Sequence, residues 1–100
     1  MPTFLLSYRM PAEYTLGRPD AIANWTAFFK GMGDHVVDAG KPVSQTADLG
    51  HLGAGTRPGG YSLISADGLG AAVTLAKGCP ALAAGAGVQV SQLAEVTPVA

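Results

Sequence analysis

The chain has 100 residues, which is the length of one domain, and 48% of them are apolar. This apolar fraction excludes a disordered polar segment. Charged residues make up only 13%, whereas an average soluble domain has about 25%. The deficit of charge predicts that a second copy of the chain covers part of the surface.

The charge pattern and the cysteine content exclude further classes of protein. The net charge is −1 and the six Lys and Arg residues are spread along the chain, whereas nucleic-acid binding needs clustered cations. No stretch has the roughly 20 apolar residues of a membrane span, and the first residues lack a secretory pattern. Cys79 is the single cysteine, so no internal disulfide forms. We therefore expect a cytoplasmic protein that binds neither nucleic acid nor membranes.

The first predicted elements are a strand and a helix. Thr3–Arg9 is predicted as a strand because its apolar side chains alternate. A helix is predicted to start within Gly17–Asp20 and to end near Ala39, before Gly40 and Pro42. Its apolar stripe consists of Ile22, Trp25, Phe28, Phe29, Met32 and Val36.

The middle of the chain is predicted as strand, loop and strand. Val43–Asp48 shows the weak alternation of a second strand. Gly50–Gly60 contains five glycines and Pro58, which is typical of a loop. Tyr61–Ala66 is rich in residues that favour strands and is predicted as the third strand.

A second helix and a last strand complete the chain. The helix follows Asp67, which is suited to cap it, and Gly78 closes it. A short turn or helical extension is predicted from Cys79 through Ala84, and Val88–Val96 is predicted as the fourth strand. The predicted buried face of the second helix consists of Leu69, Ala72, Val73 and Ala76.

The order βαββαβ predicts a single α+β domain over residues 1–100. In a ferredoxin-like protomer of this order, an antiparallel four-stranded sheet has its first and third strands in the centre and both helices on one face. The uncovered face then carries one of two partly apolar sets, either Tyr61 and Leu63 or Ser62, Ile64 and Ala66. We expect the protein to form a homodimer through this face.

One part of the sequence resembles a known family. The stretch Gly59–Ile64, followed by Asp67-Gly68-Leu69, the alanine-rich helix and Cys79-Pro80, resembles the second half of YCII-related and DGPF-type proteins. The first strand and the helix that leads to Asp38-Ala39-Gly40 are similar to the same pattern. The resemblance implies a dimeric α-β barrel built from ferredoxin-like protomers.

The sequence departs from that pattern at two places. The Asp-Gly-Pro-Phe motif is absent, and Arg57-Pro58-Gly59 stands in its neighbourhood. The family's histidine early in the first helix matches Ala21 here. Catalysis by the family is therefore not carried over to this chain, which resembles a divergent member.

Two histidines are candidates for acid–base chemistry. His35 and Asp38 are three residues apart, a spacing that places both on one helical face and allows a carboxylate to orient an imidazole. The alternative is a solvated helix end, where a histidine complements the helix dipole. His51 follows Asp48 in the glycine-rich loop, but no spacing supports a metal site, and neither a metal nor a cofactor is expected.

Further candidates for binding lie on the first strand and on aromatic positions. Ser7 and Arg9 end a central strand, where a guanidinium is suited to bind an anionic group. The alternative for Arg9 is a place at the sheet edge or a pair with Glu13 or Glu95. Trp25 and Tyr61 are candidates for a pocket between sheet and helix, although aromatic residues at such spacing also form cores.

The sequence leaves three classes of function open. The first is a small homodimeric protein that binds a small molecule in a cleft or in the interior of a barrel. The second is a cofactor-free lyase or isomerase with a histidine base and Arg9 as an anion clamp. The third is a regulatory or interaction protein. We rank them in this order because no catalytic set is assembled in the sequence.

Overall fold

A computed structural model describes residues 1–11, 19–53 and 55–96. The predicted helix start at Gly17 and the proposed partner Glu13 lie outside these residues. The described elements, in chain order, are β1 (Thr3–Pro11), α1 (Pro19–Met32), one 3₁₀ turn (Gly33–His35), β2 (Val36–Asp38), β3 (Thr56–Ser65), α2 (Leu69–Ala76), α3 (Pro80–Ala83) and β4 (Gly87–Gln92). The predicted α+β class is confirmed.

The four strands form one antiparallel sheet in the order β2-β3-β1-β4. The two central strands are therefore β1 and β3, and β4 and β2 are the edges. Leu6 lies between Ser62 of β3 and Val90 of β4. This register sets which side chains share a face, because directly paired residues point to the same side of a sheet.

The helices cover one face of this sheet. Every second residue of β1 is buried against them, from Phe4 to Met10. The core consists of apolar side chains from the strands, the helices and the turns between them: Phe4, Leu6, Tyr8, Met10, Phe28, Met32, Ile64, Ala66, Ala72, Ala76, Cys79 and Ala81. No described helix is long and apolar enough to cross a membrane.

No described helix covers the opposite face, which we call the open face. Leu5 of β1 pairs with Leu63 of β3 and with Ser91 of β4, and all three side chains are half-buried. Ser7 of β1 pairs with Tyr61 of β3 on the same face. Of the two predicted sets for this face, the structure places Tyr61 and Leu63 here, since Ser62 and Ile64 are buried under the helices.

The first helix and the second strand differ from the prediction. The helix ends at Met32 rather than near Ala39, because Gly33 takes a left-handed conformation (φ 56°) that ends a helix. The second strand is Val36–Asp38, which pairs with β3. The predicted strand Val43–Asp48 is wrong, since only Val43 bonds to β3, through its amide and the Gly59 carbonyl (3.0 Å).

The third strand begins five residues earlier than predicted. Gly59 and Gly60 lie in β3, not in a loop, because the first half of β3 pairs with the end of β1. A bulge beside Tyr8 shifts the register there. A Cβ atom on Gly59 would collide with the Met10 side chain. The glycine therefore allows the two strands to pack closely around a buried methionine.

The second half of the chain follows the prediction more closely. α2 and α3 lie where the pattern places them, and Ala72 and Ala76 are buried. Leu69 and Val73 are exposed instead, because α2 ends above the edge strand β4. β4 is Gly87–Gln92, so the predicted strand residues beyond Gln92 are not part of the sheet.

We expect Gly40 to be required by the close approach of the segment after β2 to β3. Its φ is 74°, and an added Cβ would collide with the Tyr61 carbonyl. Gly40→Ala should lower the free energy of unfolding by about 3 kcal/mol or more, from left-handed strain and overpacking together. Urea unfolding measures this loss.

Gly50 provides the matched control for that substitution. It has the same backbone conformation (φ 73°), with nothing within 4 Å of an added Cβ. Gly50→Ala should cost only the strain, about 1 kcal/mol. Equal losses in the two variants would contradict the proposed close approach.

Candidate functional site

The main cavity of the described residues is a cleft between α1 and one end of the sheet. Its volume is about 430 Å³, within the roughly 300–1,000 Å³ of small-molecule sites. We call it the α1 cleft. It is lined by residues of β1, α1, β3 and the segment after β2: Tyr8, Met10, Ala21, Ile22, Trp25, Thr26, Phe29, Ala39, Gly40, Lys41, Pro42, Gly59, Gly60 and Tyr61.

Trp25 forms an aromatic wall of this cleft. Its ring meets Tyr8 edge-on, with centroids 4.6 Å apart and planes at 71°, and contacts Phe28 (5.9 Å) and Phe29 (6.0 Å). Edge-to-face packing of this kind stabilises aromatic pairs and fixes the rings. No described residue accepts a hydrogen bond from the Trp25 indole nitrogen, so this half-buried donor is available to a ligand.

Tyr8 is part of a buried chain of hydrogen bonds beside the cleft. Its hydroxyl donates to Ser62 Oγ (2.8 Å), and Ser62 Oγ donates to the Ala39 carbonyl (2.6 Å). Ser62 is fully buried. Burial raises the pKa of Tyr8 to about 12, so the hydroxyl is neutral at pH 7 and acts as a donor. The chain ties the segment after β2 to the inner face of the sheet.

The residues after β2 form one rim of the cleft. Asp38 Oδ1 accepts a hydrogen bond from the Gly40 amide (2.8 Å), which turns the chain toward β3. A Cβ on Gly60 would approach the Lys41 carbonyl oxygen to 3.0 Å. The absence of a side chain at Gly60 therefore lets this rim lie directly on β3.

The structure separates the predicted acid–base pair. His35 Nδ1 bonds to the Ser65 carbonyl (2.8 Å), while Asp38 bonds to Gly40. Ser65 is four residues from Tyr61 along β3, or about 13 Å at the rise of a strand. His35 thus lies at the far end of the sheet from the α1 cleft, and its hydrogen bond does not involve Asp38.

The other predicted residues divide between the cleft and other surfaces. Trp25 lines the α1 cleft, and Tyr61 borders it from β3 although it belongs to the open face, where it pairs with Ser7. Ser7 and Arg9 belong to the open face, where Arg9 Nε donates to Thr56 Oγ1 (3.1 Å) and Nη2 to the Thr56 carbonyl (3.0 Å). His51 is exposed in the segment before β3.

Outside the cleft, the described residues provide neither a metal-binding cluster nor an activated thiol. No three His, Cys, Asp or Glu residues of the described ranges cluster as a metal site requires. Cys79 is buried, and burial raises the pKa of its thiol, which disfavours the nucleophilic thiolate.

Sequence reasoning did not assign to the site Tyr8 and Lys41, which line the cleft, or Ser62, which bonds to Tyr8 beside it. Tyr8 and Ser62 carry polar atoms on faces that otherwise bury apolar side chains, and a buried polar atom needs a partner. The need of each buried polar atom for a partner was a signal in the sequence that Tyr8 and Ser62 bond to each other. Lys41 had no such signal, because its place depends on the turn at Gly40.

Comparisons with protein-family models, with curated proteins and with solved structures find no match to this chain. The resemblance to YCII-related proteins stays a prediction.

We expect Tyr8 and Ser62 to be energetically coupled. Tyr8→Phe removes one hydrogen bond and should cost about 1 kcal/mol of unfolding free energy. Ser62→Ala leaves the Tyr8 hydroxyl and the Ala39 carbonyl without a partner and should cost about 1–3 kcal/mol. The double variant should lose about 1 kcal/mol less than the sum of the single losses.

Denaturant unfolding of the four proteins measures this coupling. Tyr61→Phe is the control, since no described residue bonds to the hydroxyl of this exposed tyrosine, and it should change stability by less than about 0.5 kcal/mol. Additive losses at Tyr8 and Ser62 would contradict the hydrogen-bond chain.

Proposed function

We propose that this protein binds a small molecule in the α1 cleft. The observation that carries the proposal is the aromatic wall around Trp25, which borders a cavity of about 430 Å³ and whose indole donor has no partner among the described residues. Binding sites for small molecules are mostly apolar cavities with a few polar groups that orient the ligand. The α1 cleft has this composition.

The position of the charged and titratable residues favours binding over catalysis. A general base must lie within hydrogen-bond reach of its substrate. His35 is at the far end of β3, and His51 is not among the residues that line the cleft. Arg9 bonds to Thr56 on the open face. A lyase or isomerase that uses these residues therefore has less support than a binding protein.

Filling the cleft should abolish ligand binding. Ala21 lines it from α1, and Ala21→Phe places a ring in the space that a ligand needs. Ala27→Phe is the matched control, because Ala27 is exposed on the same helix and does not line the cleft. Both variants should keep the circular dichroism spectrum of the parent protein.

The assay is a screen of small aromatic and alicyclic compounds by proton–nitrogen correlation spectra. Trp25 is the single tryptophan, so one indole signal reports on the cleft. Compounds that bind with Kd of roughly 0.1–1 mM should move this signal in the parent protein and in Ala27→Phe. They should bind Ala21→Phe at least about tenfold more weakly. A screen in which no compound moves the signal would contradict the proposal.

We also propose that the chain is a ferredoxin-like protomer that forms a homodimer through the open face, as a dimeric α-β barrel does. The strand order β2-β3-β1-β4 and the helices on one face support the protomer.

The chemistry of the open face favours a second copy. Leu5 and Leu63 lie side by side at its centre, and the small uncharged residues Ser7 and Ser91 lie beside Leu5. The charged groups of this face, Arg9 and the Asp38 that pairs with Leu63, are bonded to Thr56 and to the Gly40 amide. A face with few charged groups costs little free energy to desolvate, and a copy of the same face is complementary to it.

A lysine at the centre of the open face should prevent this dimer. Light scattering of the parent protein should give about twice 10.1 kDa. Leu5→Lys should give the mass of one chain, because Leu5 is paired with Leu63 and Ser91 and a buried ammonium without a partner is costly. Leu69→Lys, at a leucine that is 50% exposed on α2, is the control and should remain dimeric. A parent protein with the mass of one chain at tens of micromolar would overturn the dimer.

A further inference from the structure

The walls of the α1 cleft carry little charge. Among its described lining residues, Lys41 is the only one with a charged side chain, and none is Asp or Glu. Lys41 is exposed and forms no ion pair or side-chain hydrogen bond with any other residue that the structure describes. The nearby carboxylate of Asp38 does not line the cleft and accepts the Gly40 amide.

We propose that the ligand of the α1 cleft is a flat aromatic anion, with its ring on Trp25 and its acidic group bound by Lys41. This inference rests on the proposed function, because it names the class of molecule that the cleft binds. The ring and the acidic group are supported by separate observations.

The aromatic wall accounts for the ring. Trp25 is held by three aromatic neighbours, Tyr8, Phe28 and Phe29, so its ring is a rigid surface. Rigid aromatic surfaces favour other rings by stacked or edge-on contact. The cleft volume of about 430 Å³ lies within the range of sites that hold small molecules. This space exceeds that of a naphthalene ring with one substituent.

The available donors account for the negative charge. The Lys41 ammonium and the Trp25 indole nitrogen are both donors without a partner among the described residues. A carboxylate is an acceptor only, and hydrogen bonds to a charged group are stronger than those between neutral groups. Lysine is also a flexible point charge on a four-carbon stem, which suits an acidic group at the mouth of a cleft.

Three naphthalene probes with substituents of similar size and different charge test this inference. They are naphthoate, naphthamide and naphthylmethylammonium, all substituted at the same ring position. The indole signal of Trp25 measures their Kd. Naphthoate should bind about fivefold more tightly than naphthamide, and naphthylmethylammonium should bind most weakly. Added salt should reduce the advantage of naphthoate, because it screens the ion pair.

Three lysine variants connect this preference to one residue. Lys41→Gln should bring the Kd of naphthoate to that of naphthamide, and Lys41→Arg should keep the difference. Lys77→Gln, at the end of α2, makes the same change of net charge away from the cleft and should not alter either Kd.

The outcomes separate this inference from the proposed function. Equal binding of naphthoate and naphthamide, or an unchanged preference in Lys41→Gln, overturns the ligand class and leaves binding in the cleft intact. Tightest binding of naphthylmethylammonium also overturns it. If none of the three probes moves the indole signal while other compounds of the screen do, the aromatic anion is wrong. If no compound moves it, both proposals fail.

Discussion

The hydrogen-bond chain from Tyr8 through Ser62 to the Ala39 carbonyl is the interaction on which the rest of the site depends. It joins the two central strands to the segment that follows β2. Because Ser62 and Tyr8 are buried, loss of the Ser62 hydroxyl would leave the Tyr8 hydroxyl without a partner in the core. The same chain orients Tyr8 under Trp25 and holds one rim of the cleft against the sheet.

The fold was predictable where a pattern is local. Alternation in β1 and the alanine spacing of α2 identify both elements, because burial on one face requires those periods. The error in β2 arose because Gly33 ends α1 early. In the sequence alone, a glycine inside an apolar stripe is compatible with a helix that continues and with a helix that ends there. The early start of β3 was missed because Gly59 is a strand residue that accommodates Met10. This contact joins residues that are distant in the sequence.

The site was predictable in part for the same reason. Trp25 and Tyr61 are both among the residues that line the α1 cleft, and their places follow from the positions of α1 and β3. His35 and Asp38 share a helical face only if the helix continues to Asp38. The structure replaces that part of the helix with a turn and a strand, so the spacing of three no longer brings the side chains together.

The size of the side chains along the inner face of β3 accounts for the existence of the cleft. From Ile64 to Ser62 to Gly60 the inward-facing residue of β3 becomes smaller at every step, and the α1 cleft lies at the Gly60 end of this series. The smaller residues leave more space between the sheet and α1 at that end. The sizes of the side chains along this one strand set the volume of the cleft. A wider or narrower site can therefore evolve by substitutions at these positions, without a change in the backbone.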